Sequence, residues 1–203
     1  MTTIKFSSST KHDPPVKSPL SCSNLILSFS KLLNQKAIHK PSAQHVLDDD
    51  YYKRIEAIQF TMSHDDGKKV DDTNDADVIL LGVSRTSKTP TSIYLANRGY
   101  KTVNIPLVLE QKIPEDLKTN KKSCIIGLIA DPERLSDIRR NRVAFMKDQN
   151  LKEYIDLNFI KKEVEDSKNL FKKNNWPIID VTRRSVEETA ASILKIIEIK
   201  KNK

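Results

Sequence analysis

Gly82, Lys88 and Thr89 follow the apolar run Val78-Ile79-Leu80-Leu81 at a spacing close to G-x-x-x-x-G-K-[ST]. A strand that ends in such a loop and opens a helix can wrap phosphate oxygens in backbone N–H groups. Lys88 would then place an ammonium on the terminal phosphates, and Thr89 would offer its hydroxyl to Mg²⁺. The dipole of the following helix adds positive potential at the same point. The candidate nucleotide cradle is therefore Gly82, Val83, Ser84, Arg85, Thr86, Ser87, Lys88 and Thr89. Ser87 stands where the motif has its second glycine, a position that often needs φ > 0. A plain strand-to-helix turn, with a Ser/Thr N-cap and Pro90 in the first helical turn, fits the same residues.

Phosphoryl transfer also needs charge neutralisation and a group that accepts the nucleophile's proton. Arg85, inside the loop, could grip phosphoryl oxygens with a bidentate guanidinium, or could be an exposed loop arginine. His64-Asp65-Asp66-Gly67 sets two carboxylates beside a histidine and a glycine. Asp65 or Asp66 could hold Mg²⁺ or act as general base, and a polar helix terminus with a glycine cap explains the same four residues. Asp131 ends an apolar run on the presumed ligand side of the sheet, where a Mg²⁺-supporting acid is often found. Arg139, Arg140 and Arg142 cannot all share one helix face, so at least one belongs to the solvated surface.

These residues need elements to hold them, and the chain reads as strand and helix in alternation. Strands are expected at Val78–Leu81, Thr102–Leu107, Cys124–Ala130 and Ile178–Val181. Helices are expected from Asp48 to about His64, from the loop to Arg98, and at Pro132–Met146 and Leu151–Lys173. A last helix opens on the capping-box residues Ser185 and Glu188, with Ala190, Ile193, Leu194 and Ile197 on one face. In the first of these, Tyr51, Ile55, Ile58 and Met62 recur at helical spacing and are the expected buried face. Gly99 suits a C′ position. The alternation implies an α/β fold, a parallel sheet flanked by helices, with ligands beyond the carboxyl ends of the strands. Residues 1 to about 23 are rich in Ser, Thr, Lys and Pro and read as disordered. A short amphipathic piece spans Leu25 to Leu33, and the α/β domain is expected over residues 36–203.

Composition narrows the partners. The 203 residues are 37% hydrophobic and 31% charged, with a formal charge of +8. Residues 1–45 hold six lysines against one acid, Asp13, which leaves 29 basic against 26 acidic residues in the rest. That balance, with no interleaving of aromatic and basic residues, argues against a nucleic-acid partner. No run approaches the roughly 20 apolar residues of a membrane span. Cys22 and Cys124 lie far apart without metal-ligand spacing, which fits a reducing cytoplasm.

The loop Gly82-Val83-Ser84-Arg85-Thr86-Ser87-Lys88-Thr89-Pro90, with Ala76-Asp77 before it and Tyr94-Leu95-Ala96 after it, resembles the pyruvate, phosphate dikinase regulatory protein family. The similarity continues in Gln44-His45, Tyr52-Lys53-Arg54-Ile55-Glu56-Ala57 and His64-Asp65-Asp66-Gly67. It extends through Asn104-Ile105-Pro106-Leu107, Ile126-Gly127-Leu128, Asp131-Pro132-Glu133, Asp180-Val181-Thr182, Ser185 and Glu187-Glu188. Ser87 is usual in that family. The resemblance implies a P-loop kinase-like enzyme with two activities. One phosphorylates a threonine of pyruvate, phosphate dikinase with ADP as donor. The other removes that phosphate by attack of inorganic phosphate, forming pyrophosphate. Lys88 and Arg85 would stabilise phosphoryl charge, Thr89 would orient Mg²⁺, and Asp65, Asp66 or Asp131 would serve as base or metal ligand. A sister branch regulates phosphoenolpyruvate synthase, and a homodimer is one assembly compatible with the reading. Family members begin with a further α/β region that residues 1–35 do not supply. A shortened chain is therefore expected, and a non-catalytic nucleotide-binding remnant is the alternative. The loop and sheet order would equally serve a small-molecule kinase.

Overall fold

The structure, a computed structural model, describes residues 21–34, 48–67, 73–108, 117, 120, 122–146 and 152–202. The chain divides into two compact units, residues 1–46 and 47–203. In the first, helix α1 (Ser21–Leu33) starts four residues before the expected amphipathic piece, so Ser21 to Ser23 are helical rather than disordered. Residues 1–20, part of the same expectation, lie outside the described residues.

In the second unit, three runs rich in β-branched and leucine residues form strands β1 (Val78–Gly82), β2 (Thr102–Pro106) and β3 (Cys124–Ile129). A fourth, β4 (Ile178–Asp180), completes one sheet of order β2-β1-β3-β4, parallel throughout. β1 and β3 are buried almost end to end, as a parallel sheet covered on both faces requires. The helices are α2 (Asp49–Ser63), α3 (Lys88–Ala96), α4 (Pro132–Met146), α5 (Lys152–Ile155), α6 (Leu157–Lys173) and α7 (Val186–Lys201). Among the described residues no helix is long and apolar enough to cross a membrane.

Period-two alternation along the strands sends side chains to two cores. Val78, Leu80, Ile126 and Leu128 meet Leu95 of α3, Leu135 of α4, Ile160 and Val164 of α6, and Ala190, Ile193 and Ile197 of α7. On the other face Ile79, Leu81, Val103, Ile105 and Ile125 meet Phe171 of α6, with Phe60 of α2 packed alongside. Gly127 of β3 lies directly beneath the Phe171 ring, where any Cβ would overlap the ring carbons.

The helix ends follow their local signals. Asp48 caps α2 through the Tyr51 N–H, and Ser185 with Glu188 closes a full capping box on α7. Gly99 takes φ 85° just past α3. Two further expectations fail. The helix expected over residues 151–173 is broken at Asp156, whose extended backbone and side chain instead cap α6 through the Phe159 N–H. On α2, Tyr51, Ile55 and Met62 are exposed, and the buried residues are Ala57 and Thr61, with Phe60 partly covered. The sheet accepts the face that carries a hydroxyl. Thr61 Oγ1 takes the backbone N–H of Thr102 at 3.0 Å, a contact that period counting does not register.

Candidate active site

The loop between β1 and α3 is shaped by a glycine at its start and two left-handed residues within it. At Gly82 a Cβ would lie 2.5 Å from Leu128 O and 2.8 Å from Thr86 Oγ1, so only glycine lets the loop leave the sheet here. Arg85 and Ser87 hold φ of 75° and 57°. Each left-handed non-glycine residue costs roughly 1–2 kcal/mol. Ser87 thus adopts the conformation that a glycine reaches without strain. As the N-cap of α3 it makes no side-chain capping bond. The first N–H groups of a helix have no carbonyl of their own helix to meet, so this end suits an anion.

Lys88 lies at the start of α3 and is 6% exposed. Its Nζ donates to Val83 O at 2.9 Å, and Thr86 Oγ1 donates to the same carbonyl at 2.9 Å. Burial pushes the Lys88 ammonium down from 10.5 to about 8, against the opposing pull of Asp66 and Asp65. A cation in so dry a place calls for a counter-anion.

The 3₁₀ turn Asp65–Gly67 that follows α2 brings its carboxylates to this loop. Thr89 Oγ1 donates to Asp65 Oδ1 at 3.2 Å. Asn104 of β2, 1% exposed, donates through Nδ2 to Asp65 Oδ1 at 2.6 Å and to Thr89 Oγ1 at 3.0 Å. Asp66, at φ 52°, turns the chain beside it. His64 stacks on Phe60, with ring centroids 4.0 Å apart, and its carbonyl accepts the Asn104 N–H at 3.2 Å. The same β2 residue therefore ties down the turn with both its backbone and its side chain.

On the other flank Arg139 of α4 is fully buried. It forms an ion pair with Glu163 of α6 at 2.7 Å, donates to Tyr154 O and Ser84 O, each at 3.2 Å, and lies 4.7 Å from the Tyr154 ring centroid. Tyr154 OH and Ser84 Oγ are 2.9 Å apart. The loop backbone is thus held from the α4–α6 side. Between the flanks opens a cleft of about 680 Å³, lined by Asp65, Asp66, Arg85, Lys88, Thr89, Arg142 and Tyr154 among others.

Of the residues singled out in the sequence, the structure brings Arg85, Lys88, Thr89, Asp65 and Asp66 to one cleft and leaves Asp131 out of it. Asp131 is exposed, and its Oδ1 accepts the N–H groups of Glu133 and Arg134, so its carboxylate caps α4 instead of facing the loop. Of the arginines at 139, 140 and 142, Arg139 is buried against the loop, Arg142 is exposed and lines the cleft, and Arg140 is exposed beside Asp137. Asn104 and Tyr154 are not among the residues that the sequence singles out for chemistry, and Arg139, grouped there with Arg140 and Arg142, is the one buried against the loop. An asparagine within a strand was the one local sign available for the first.

A family model described as "Kinase/pyrophosphorylase" matches residues 10–194. The chain belongs to the kinase/pyrophosphorylase family. Among relatives of this family, a protein of Pelagibacter ubique is 66% identical over 180 residues, which is 88% of this chain and 66% of the relative. One of Erythrobacter litoralis is 51% identical over 81% of this chain and 59% of its own length, and one of Chelativorans sp. 49% over 83% and 62%. Each is named "Putative pyruvate, phosphate dikinase regulatory protein". The chain spans about three fifths to two thirds of the length of these relatives.

Proposed function

We propose that this protein regulates pyruvate, phosphate dikinase through ADP-dependent phosphorylation of a threonine and phosphate-dependent, pyrophosphate-forming removal of that group. The observation that carries this reading is the buried Lys88, held by a loop that also presents Thr89 bonded to Asp65. The names of the relatives favour the dikinase over phosphoenolpyruvate synthase as target. With these substrates the proposed place of action is the cytoplasm.

A diphosphate fits the chain's own groups. The uncapped N-terminus of α3, the Lys88 ammonium and the Arg85 guanidinium converge on one cleft, and all favour negative charge. Among the described residues no group of three or more His, Cys, Asp or Glu could cage a metal. Mg²⁺ is commonly held by phosphates, water and one or two protein oxygens, which Thr89 and Asp65 can provide. There it would neutralise phosphate charge.

The two reactions share one requirement. In the forward direction a threonine oxygen bonds to the terminal phosphorus of ADP, its proton passes to a carboxylate, and AMP leaves. In the other direction an oxygen of inorganic phosphate bonds to the phosphorus of phosphothreonine, threonine leaves with a proton, and pyrophosphate forms. Both pass a phosphoryl group across the same positive centre, so Lys88 and Arg85 serve each transition state. Asp65 and Asp66, which line the cleft, would accept and return the proton. Incubating purified dikinase with ADP and this protein, then mapping phosphothreonine by mass spectrometry, tests the proposal. Phosphorylation by the unmodified chain and its loss in Lys88→Ala are expected. An unmodified chain that leaves both dikinase and phosphoenolpyruvate synthase unphosphorylated overturns it.

A further inference from the structure

Asn104 lies in the middle of β2 with its side chain closed off from solvent, where an apolar residue would pack at lower cost. Its two Nδ2 hydrogens go to Asp65 Oδ1 and Thr89 Oγ1. That assignment of nitrogen and oxygen follows from chemistry, because an ionised carboxylate at 2.6 Å accepts and does not donate. Asn104 Oδ1 is buried without a hydrogen-bond partner. The amide therefore serves through its donors alone.

Those donors fix the hydroxyl of Thr89, which borders the cleft in the first turn of α3. Thr89 Oγ1 gives its proton to Asp65 and accepts one from Asn104, which leaves a single lone pair. Without Asn104, Thr89 could turn to another rotamer and Asp65 would lose its shortest contact. We propose that Asn104 is a positioning residue that locks the Thr89 hydroxyl and the Asp65 carboxylate in one orientation and so sets the affinity of the loop for a divalent cation. The proposal rests on the reading of the loop as a phosphate cradle.

Mn²⁺ binding to the full chain, followed by electron paramagnetic resonance with and without ADP, tests it. Partners that orient metal ligands are worth about 10–100-fold in metal affinity. Asn104→Ala is expected to weaken Mn²⁺ binding in the presence of ADP by that factor and to leave metal-free ADP affinity within about twofold. In a Thr89→Ala background the same substitution is expected to have a smaller effect, since only the hold on Asp65 remains to be lost, and a general loss of packing would not reproduce that reduction. If circular dichroism shows the alanine variant unfolded, Asn104→Ser, which keeps one small donor, carries the same expectation with a smaller loss. Equal Mn²⁺ affinities for variant and unmodified chain overturn the assignment alone, as does an undiminished loss in the Thr89→Ala background. Failure of the unmodified chain to bind Mn²⁺ with ADP overturns the phosphate-cradle reading and this assignment with it.

Discussion

At the amino ends of the strands, Ser123 Oγ donates to Ala76 O at 2.7 Å and receives Asn120 Nδ2 at 3.0 Å, while Lys200 Nζ donates to Ser123 O at 2.7 Å. Around the loop on the opposite side, His64 Nε2, Arg85 Nε, Asn104 Oδ1 and Arg139 Nε are all buried without a hydrogen-bond partner. The fifth such side-chain atom among the described residues, Thr91 Oγ1, lies one turn into α3. An unmet buried polar atom costs roughly 1–3 kcal/mol. One end of the sheet resolves its polar groups locally, and the other keeps several unmet beside a desolvated ammonium. The contrast fits a stabilising role for the first and the proposed ligand chemistry for the second.

The severest test of that contrast is Glu163→Gln. It would leave the Arg139 guanidinium buried without its counter-charge, at a cost of about 3–5 kcal/mol. Urea denaturation should report the loss, together with weaker ADP binding because Ser84 O loses its anchor. An unchanged midpoint would mean that Arg139 is not held by charge.

Next in size is Lys88→Met. The folded-state value near 8 lies below the ordinary 10.5, so burial of the charge opposes folding most fully below pH 8. That opposition fades as pH rises from about 8 to 10.5, where the unfolded chain still binds a proton and the folded chain does not. At pH 7 the variant should therefore be more stable, by up to about 3 kcal/mol. The gap should close toward pH 10 in parallel urea titrations. ADP binding by the unmodified chain should weaken above pH 8, and calorimetry at pH 7 and 9 checks this. A destabilised Lys88→Met would contradict the contrast.

The smallest effect is expected at the other end. Ser123→Ala should cost about 1–2 kcal/mol through the unmet Ala76 carbonyl, with ADP affinity unchanged. A shift in ADP affinity would show that the two ends are coupled.

The loop was legible in the sequence because its chemistry is local. Gly82, Lys88 and Thr89 are fixed by spacing, and Asp48, Ser185 and Gly99 signal helix ends within three residues of themselves. What stayed hidden depends on distant partners. Arg139 can be buried only because Glu163, 24 residues further on, meets it. Asn104 acquires its role from a turn 39 residues earlier. Asp131 carries the same carboxylate as Asp65, and only the fold separates the helix cap from the cleft. On α2 the stripe of larger side chains faces water, since the sheet needed a hydroxyl at Thr61.

The bond from Lys88 to Val83 O has a consequence for speed. An ammonium has three protons, and the loop carbonyl takes one, which would steer the other two toward a phosphate in the proposed cradle without a rotamer search. In the proposed reaction the cation would be poised before the encounter, with little rearrangement left to slow the chemical step.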